Sequence, residues 1–286
     1  MRRRASSRFS VGTLLCAGSI ALAWACSDDA PSKNEEHGDA QTSDATTDEE
    51  DANSKDDGGI VAPIEAGDAL TETFDAGPLA SAAQGSIVVD GVDDEAFWKS
   101  GQAATWNTSY AGTPTSASTT VRFVWSKAGL AMFATVEDTG LFTDTSKPTN
   151  VDRQNLYDED CVELFFTPDP AFPNRYYEIE LGPYGHFLDL AVDLDKNTYD
   201  TKWSSGLTLA TKHDAAKRHS TAEALFSAKE IVNVLAGGKS FRIGLFRNEG
   251  RASDPGGRKF LAWSPPRTSA PKFHVPSAFG TLRLLP

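Results

Sequence analysis

Acidic and aromatic side chains recur on two short apolar segments, where they could bind a ligand rich in hydroxyl groups. Residues 160–166 read DCVELFF and residues 176–181 read YYEIEL. If both segments are neighbouring β-strands, side chains at every second position share a face, and this gathers Glu163, Glu178, Glu180 and Tyr176 on one surface. Carboxylates accept hydrogen bonds from paired hydroxyls, and aromatic rings cover the apolar C–H faces of a sugar. An ordinary solvated outer face of a sheet would show the same alternation.

Other chemistries can be drawn from the same residue types. Glu163 and Glu178 could act as the carboxylate pair of a glycosidase, although no deep cleft-forming insertion is evident. Met132 could be a haem ligand, as in another branch of sandwich proteins, but its segment LAMFA is typical of a core strand. Cys161 lies in a strand pattern without a nearby His base, which indicates a packed structural thiol. An envelope structural or adhesion module with a protein partner is a further alternative.

The elements that must position these residues are short strands. Gly, Pro, Asn and Asp clusters separate apolar or alternating runs, and this favours an all-β, antiparallel β-sandwich of the jelly-roll or immunoglobulin-like kind. The pattern also predicts two short helices, at residues 94–99 and 228–235. The predicted strands are residues 119–126, 130–136, 162–166, 176–181, 186–191, 222–226, 241–246 and 280–284.

The charge of the chain divides it into three regions. The 286 residues carry a formal charge of −13, of which residues 1–25 carry +4 and residues 26–80 carry −14. Only −3 remains for residues 81–286, so this part gives no reason to expect a nucleic-acid partner. Residues 26–80 are predicted to be an acidic disordered tether, because they contain too little apolar surface to form a core. Residues 81–286 are the predicted folded domain, expected to be monomeric.

The N-terminus is typical of an export signal. Four Arg precede an apolar stretch at residues 11–25 that is too short to span a membrane comfortably. The segment LAWAC at residues 22–26 resembles a bacterial lipoprotein signal, which implies that Cys26 is lipidated and that the chain is held at the outer membrane or cell envelope through the lipid alone. The residues before Cys26 also fit ordinary signal cleavage, which would give a secreted protein.

Six sequence blocks in order resemble the family 9 carbohydrate-binding modules. The resemblance covers residues 84–286, essentially all of the predicted folded part. The blocks are IVVDGVDDEAFW at 87–98, TVRFVW at 120–125, GL at 129–130 leading to VED at 136–138, YDEDCVELF at 157–165, AWSP at 262–265 and PSAFGTLRL at 276–284.

The resemblance implies a non-catalytic β-sandwich that holds a sugar or glycan end between two aromatic side chains. Carried over by position, these are Tyr157 and Phe273, with Glu163 as the hydrogen-bonding carboxylate. The next strand of the family carries a sugar-binding Arg and Asn, where this chain has Glu178 and Glu180. The polar half of the site therefore departs from the family pattern, and the identity of the sugar cannot be read from the sequence. The family also binds calcium in its loops, for which Asp138 and Asp160 are the positional candidates.

Overall fold

The computed structural model describes residues 77–137, 140–250 and 257–286. Thirteen β-strands are the main regular elements of this part of the chain, and the antiparallel β-sandwich predicted from the sequence is confirmed. The strands are β1 (Leu79–Ala82), β2 (Ala104–Thr108), β3 (Pro114–Ser126), β4 (Gly129–Glu137), β5 (Cys161–Thr167), β6 (Arg175–Leu181), β7 (Phe187–Asp193), β8 (Thr198–Asp200), β9 (Thr208–Asp214), β10 (His219–Phe226), β11 (Ser240–Glu249), β12 (Lys259–Ala262) and β13 (Gly280–Leu284).

Helical structure in the described residues is limited to single turns. The α-helix α1 spans Lys229–Val232, and 3-10 turns span Ala96–Lys99, Leu156–Asp158 and Pro276–Ala278. The two predicted helices are therefore present but shorter than expected. None of the helices in the described residues has the length and apolar character needed to cross a membrane.

The strands form two layers. The larger sheet has the order β8-β7-β6-β5-β11-β13, with β12 paired to β11, and the smaller sheet has the order β3-β4-β10-β9, with β2 paired to β3. β1 pairs in parallel with both β13 and β3, so it joins the two layers at one edge. Among the described residues, these two parallel pairings are the exception in an otherwise antiparallel sandwich. The four residues of β1 divide between its two partners, with Leu79 and Ala80 on β13 and Ser81 and Ala82 on β3.

The main hydrophobic core lies between the inner faces of the two sheets. The alternate residues Val162, Leu164 and Phe166 of β5 face inward, as their period-2 spacing predicts. Met132 is fully buried in the same core, which confirms the structural role expected for it. Burial of these side chains fixes the register of β5. The intervening residues Cys161, Glu163 and Phe165 must therefore face the opposite side of the larger sheet.

Candidate functional site

The predicted acidic cluster lies on the outer face of the larger sheet. β5 and β6 are antiparallel neighbours in which Glu163 pairs with Glu180 and Phe165 pairs with Glu178. Tyr176 is on the same face of β6, two positions before Glu178. The sequence prediction that these four residues share one sheet surface is thus confirmed for their positions, whereas their ligand-binding role stays a prediction.

This face is buried rather than open to solvent. Glu163, Glu178 and Glu180 are 2%, 4% and 0% exposed, and Tyr176 is also buried. The alternative of an ordinary solvated outer face therefore does not hold at these positions, because the carboxylates are covered. Oε2 of Glu178 and both carboxylate oxygens of Glu180 have no hydrogen-bond partner of acceptable geometry among the described residues.

Burial and mutual repulsion change the acidity of the cluster. Burial raises the pKa of Glu163 to about 7. Burial, together with the charge of Glu163, raises the pKa of Glu178 to about 8. The pKa of Glu180 rises well above its usual range because it is buried beside both other carboxylates. Burial and the adjacent Glu163 and Glu180 likewise raise the pKa of the Cys161 thiol. The protons of such a cluster belong to the group as a whole.

Stacked aromatic rings cover one end of the cluster. Tyr176 stacks on Phe165 at 5.3 Å between centroids, and its hydroxyl lies 2.6 Å from Nδ1 of His274. Burial lowers the pKa of His274 to about 4, so its ring is neutral near pH 7. Phe273 stacks on Phe246 with centroids 4.2 Å apart and is 8% exposed. Phe246 therefore covers one face of the Phe273 ring. The sugar-binding role of Phe273 stays a prediction.

Tyr157 lies on a loop that is held firmly against the larger sheet. Leu156 is fully buried and anchors the 3-10 turn Leu156–Asp158. Asn155, which precedes the turn, has a φ of 62°, in the left-handed region that Asn tolerates better than most residues. The ion pair between Arg153 and Glu159 closes the base of the loop. The Tyr157 ring is half-buried, and its hydroxyl donates a hydrogen bond of 3.3 Å to the Asn155 side chain.

Arg258 is a site residue that the sequence reasoning missed. Its guanidinium donates to the backbone carbonyl of Tyr157, lies 3.3 Å from the Asp158 carboxylate and packs over the Phe260 ring at 4.5 Å. Its charge also favours the ionised form of Glu163 and so opposes the rise in pKa that burial causes. Phe260 in turn contacts Phe273 edge-on. Arg258 precedes β12, a strand too short to be recognised by alternation, so no periodic signal marked it.

Asp160 clamps two loops together. One carboxylate oxygen accepts the backbone N–H of Phe142, and the other accepts that of Gly250 at 2.8 Å. A carboxylate in this position ties the loop before β5 to the end of β11. Its assignment as a calcium ligand stays a prediction. Asp138, the other calcium candidate, and Cys26, the lipidation candidate, lie outside the described residues.

The blocks of the sequence and the sandwich geometry agree with one known family. The family model described as "Carbohydrate family 9 binding domain-like" matches residues 89–285. The chain belongs to this family. The match spans both sheets of the sandwich, and it includes Tyr157, Glu163, Arg258 and Phe273.

Solved structures share the fold of this family 9 domain. A family 9 carbohydrate-binding module from Caldicellulosiruptor kristjanssonii, solved with glucose, is 19% identical over 72% of this chain and 95% of its own, with a TM-score of 0.50. The same organism's module solved with cellotriose is also 19% identical, over 72% and 92% of the two chains, with a TM-score of 0.50. A candidate carbohydrate-binding protein from Bacteroides uniformis is 16% identical over 73% and 100%, with a TM-score of 0.55. No curated protein sequence matches the chain.

Proposed function

We propose that this family 9 domain is a non-catalytic carbohydrate-binding module that holds a sugar or glycan end beside Tyr157. The observation that carries the proposal is the contact of the Arg258 guanidinium with the Tyr157 loop, just before β5 begins, together with the effect of its charge on the Glu163 carboxylate of that strand. Solved relatives in complex with glucose and cellotriose support a saccharide as the ligand class.

The chemistry of the three groups is complementary. The ring of Tyr157 offers an apolar face to sugar C–H groups, and Arg258 offers a donor to sugar hydroxyls. Glu163 is buried and acts on the site through its charge interaction with Arg258. Glu178 and Glu180 stand where the resemblance places an Arg and an Asn. Arg258 provides a cation from outside that strand, and its stacking on Phe260 holds the guanidinium plane in place.

Binding is tested with a glycan array followed by titration calorimetry with the glycans that bind. Tyr157→Ala and Arg258→Gln are each expected to weaken binding at least about tenfold, since each removes roughly 1.4 kcal/mol or more of contact energy. The matched control is Tyr184→Ala, which removes an exposed tyrosine that contacts His213 rather than the proposed site. Absence of binding to every saccharide, or equal affinity in wild type and Tyr157→Ala, contradicts the proposal.

The proposed absence of hydrolysis rests on burial. Glu163 and Glu178 would have to protonate a leaving group and activate a water or attack the sugar, and both lie under the covering loops. Incubation with a bound oligosaccharide, followed by an assay for new reducing ends, is expected to show no product. Product that disappears in Glu163→Gln would favour the hydrolase alternative.

Export and membrane attachment extend the proposal to the cell. We propose that residues 1–25 direct export, that residues 26–80 space the domain from the envelope and that Cys26 carries the lipid. Cys26→Ser is expected to move the protein from the membrane fraction to the soluble fraction, and mass spectrometry of the mature N-terminus identifies the lipid directly. An unmodified N-terminus in wild type would favour plain secretion. Titration with and without calcium chelation tests the calcium role proposed for Asp138 and Asp160.

A further inference from the structure

A buried thiol lies within the acidic cluster on the outer face of the larger sheet. One ligand atom each from Cys161, Glu163 and Glu180 lies within 4.8 Å of the other two, and all three side chains are buried. Carboxylates that are withdrawn from water normally find hydrogen-bond donors or a cation. Glu180 is 0% exposed, and neither of its oxygens has a hydrogen-bond partner of acceptable geometry among the described residues.

The positive charges near the cluster are too few to neutralise its three carboxylates. Arg258 acts on Glu163 and is shared with the Asp158 carboxylate and the Tyr157 carbonyl. Nε2 of His274 lies 3.9 Å from Glu178, but burial keeps that ring neutral near pH 7. Glu178 lies beside Glu180, and the two carboxylates can share a hydrogen bond only while one of them is protonated. A divalent cation that binds in place of the protons would compensate the charge of the ionised carboxylates.

We propose that Cys161, Glu163 and Glu180 form a binding site for a divalent transition-metal ion of the zinc type. A thiolate combined with carboxylate oxygens suits Zn²⁺ and its neighbours in the series, whereas Ca²⁺ and Mg²⁺ prefer oxygen ligands alone. The ligand atoms of one tetrahedral zinc ion lie roughly 3.3–3.8 Å apart. The three ligand atoms here lie within 4.8 Å of one another, so side-chain movements of about 1 Å would bring them to that spacing. This site is separate from the calcium candidates. It shares Glu163 with the proposed sugar site, but metal binding does not require a bound sugar.

Asn248 is a positioning residue for two of the ligands. Its side-chain amide donates to Glu163 Oε1 and lies 3.5 Å from Cys161 Sγ, across the pairing of β11 with β5. Such contacts around the ligands fix their orientation, as they do in known metal sites. Glu178 lies two residues before Glu180 on the same face of β6, and a water molecule would complete the coordination of the ion.

Cobalt is the probe, because Co²⁺ occupies zinc sites and its absorption reports thiolate ligation. The chain is prepared metal-free with Cys16→Ser and Cys26→Ser, so that Cys161 is the remaining thiol. One equivalent of Co²⁺ is expected to give visible d–d bands and a near-ultraviolet thiolate-to-cobalt band, and Zn²⁺ is expected to abolish both. Ca²⁺ should leave the spectrum unchanged.

Variants identify the ligands. Cys161→Ser is expected to remove the charge-transfer band, and Glu180→Gln to weaken binding at least about tenfold. Glu223→Gln is the matched control, because Glu223 is an equally buried carboxylate that holds the N–H groups of Asp90 and Gly91 on the other sheet. Zn²⁺ at 100 times its dissociation constant should raise the folding equilibrium constant about 100-fold in wild type. This stabilisation gives a second readout for any variant with a weak spectrum.

Failure of the metal site is distinguishable from failure of sugar binding. An absent charge-transfer band, a band that persists in Cys161→Ser, or unchanged affinity in Glu180→Gln would each overturn the metal site. Metal binding without any glycan binding would overturn only the proposed function.

Discussion

The buried carboxylates on β5 and β6 should make the metal-free protein lose stability as the pH rises through neutrality. The folded cluster holds protons that the unfolded chain releases near the usual pKa of Glu, because burial raises the pKa of Glu163 to about 7 and that of Glu178 to about 8. The pKa of Glu180 is also raised well above its usual range. A raised folded-state pKa contributes stability that is fully present below the unfolded pKa and is lost as the pH passes the folded pKa.

The magnitude follows from the number of protons that folding retains. For each proton that is bound only in the folded state, the free energy of unfolding falls by about 1.4 kcal/mol when the pH rises by one unit. Between about pH 7 and about pH 8 the cluster is expected to retain one to two such protons, so unfolding becomes easier by about 1.4 to 2.7 kcal/mol over that unit. His274 contributes in the opposite direction, because burial lowers its pKa to about 4 and the unfolded chain binds this proton more readily. Its contribution therefore lowers the free energy of unfolding only when the pH drops below about 6.5.

Urea unfolding in the presence of a chelator measures this slope. Urea is uncharged and does not screen the carboxylates, and the chelator keeps the cluster free of metal. Glu180→Gln removes one acid, so it should flatten the slope and make the protein more stable than wild type at about pH 8. Glu230→Gln, which changes a partly exposed carboxylate on α1, should leave the slope unchanged. A free energy of unfolding that stays level or rises over this interval in wild type would refute the reasoning.

Three further substitutions test the packing of Phe273, the hydrogen bonds of Asp160 and the close packing at Gly280. Phe273→Ala should destabilise the fold by about 3 to 5 kcal/mol in urea unfolding, because it removes a buried ring stacked on Phe246; a loss below about 1 kcal/mol would show that the ring is not packed as described. Asp160→Ala should cost about 1 to 3 kcal/mol and speed hydrogen exchange at the amides of Phe142 and Gly250, which it bonds; unchanged exchange at both amides would contradict the clamp. Gly280→Ala should cost about 1 to 3 kcal/mol, because the added Cβ would lie 2.2 Å from the Trp263 ring; a variant with wild-type thermal stability would refute this close approach.

The alternation of the sequence predicted the positions of the acidic cluster but not its environment. Period-2 spacing put Glu163, Glu178 and Glu180 on one face, and the β5–β6 pairing confirms it. Their burial depends on loops that contact the sheet through Leu156 and Phe273, and the local sequence pattern carries no signal for such contacts. The position of Arg258 depends on the pairing of β12 with β11, a long-range contact of only four residue pairs. The parallel pairing of β1 likewise follows from the three-dimensional arrangement rather than from its own four residues.

The pH dependence also separates the two ways in which the cluster can be neutralised. If protons alone neutralise it, stability falls as the pH rises, because the folded state binds more protons than the unfolded state. If zinc binds, its ligands must release their protons, so the stabilisation that zinc adds grows as the pH rises. The difference between the zinc-loaded and metal-free free energies of unfolding should therefore widen from about pH 6 to about pH 8. A constant difference would indicate that zinc binds elsewhere, at groups that are already deprotonated.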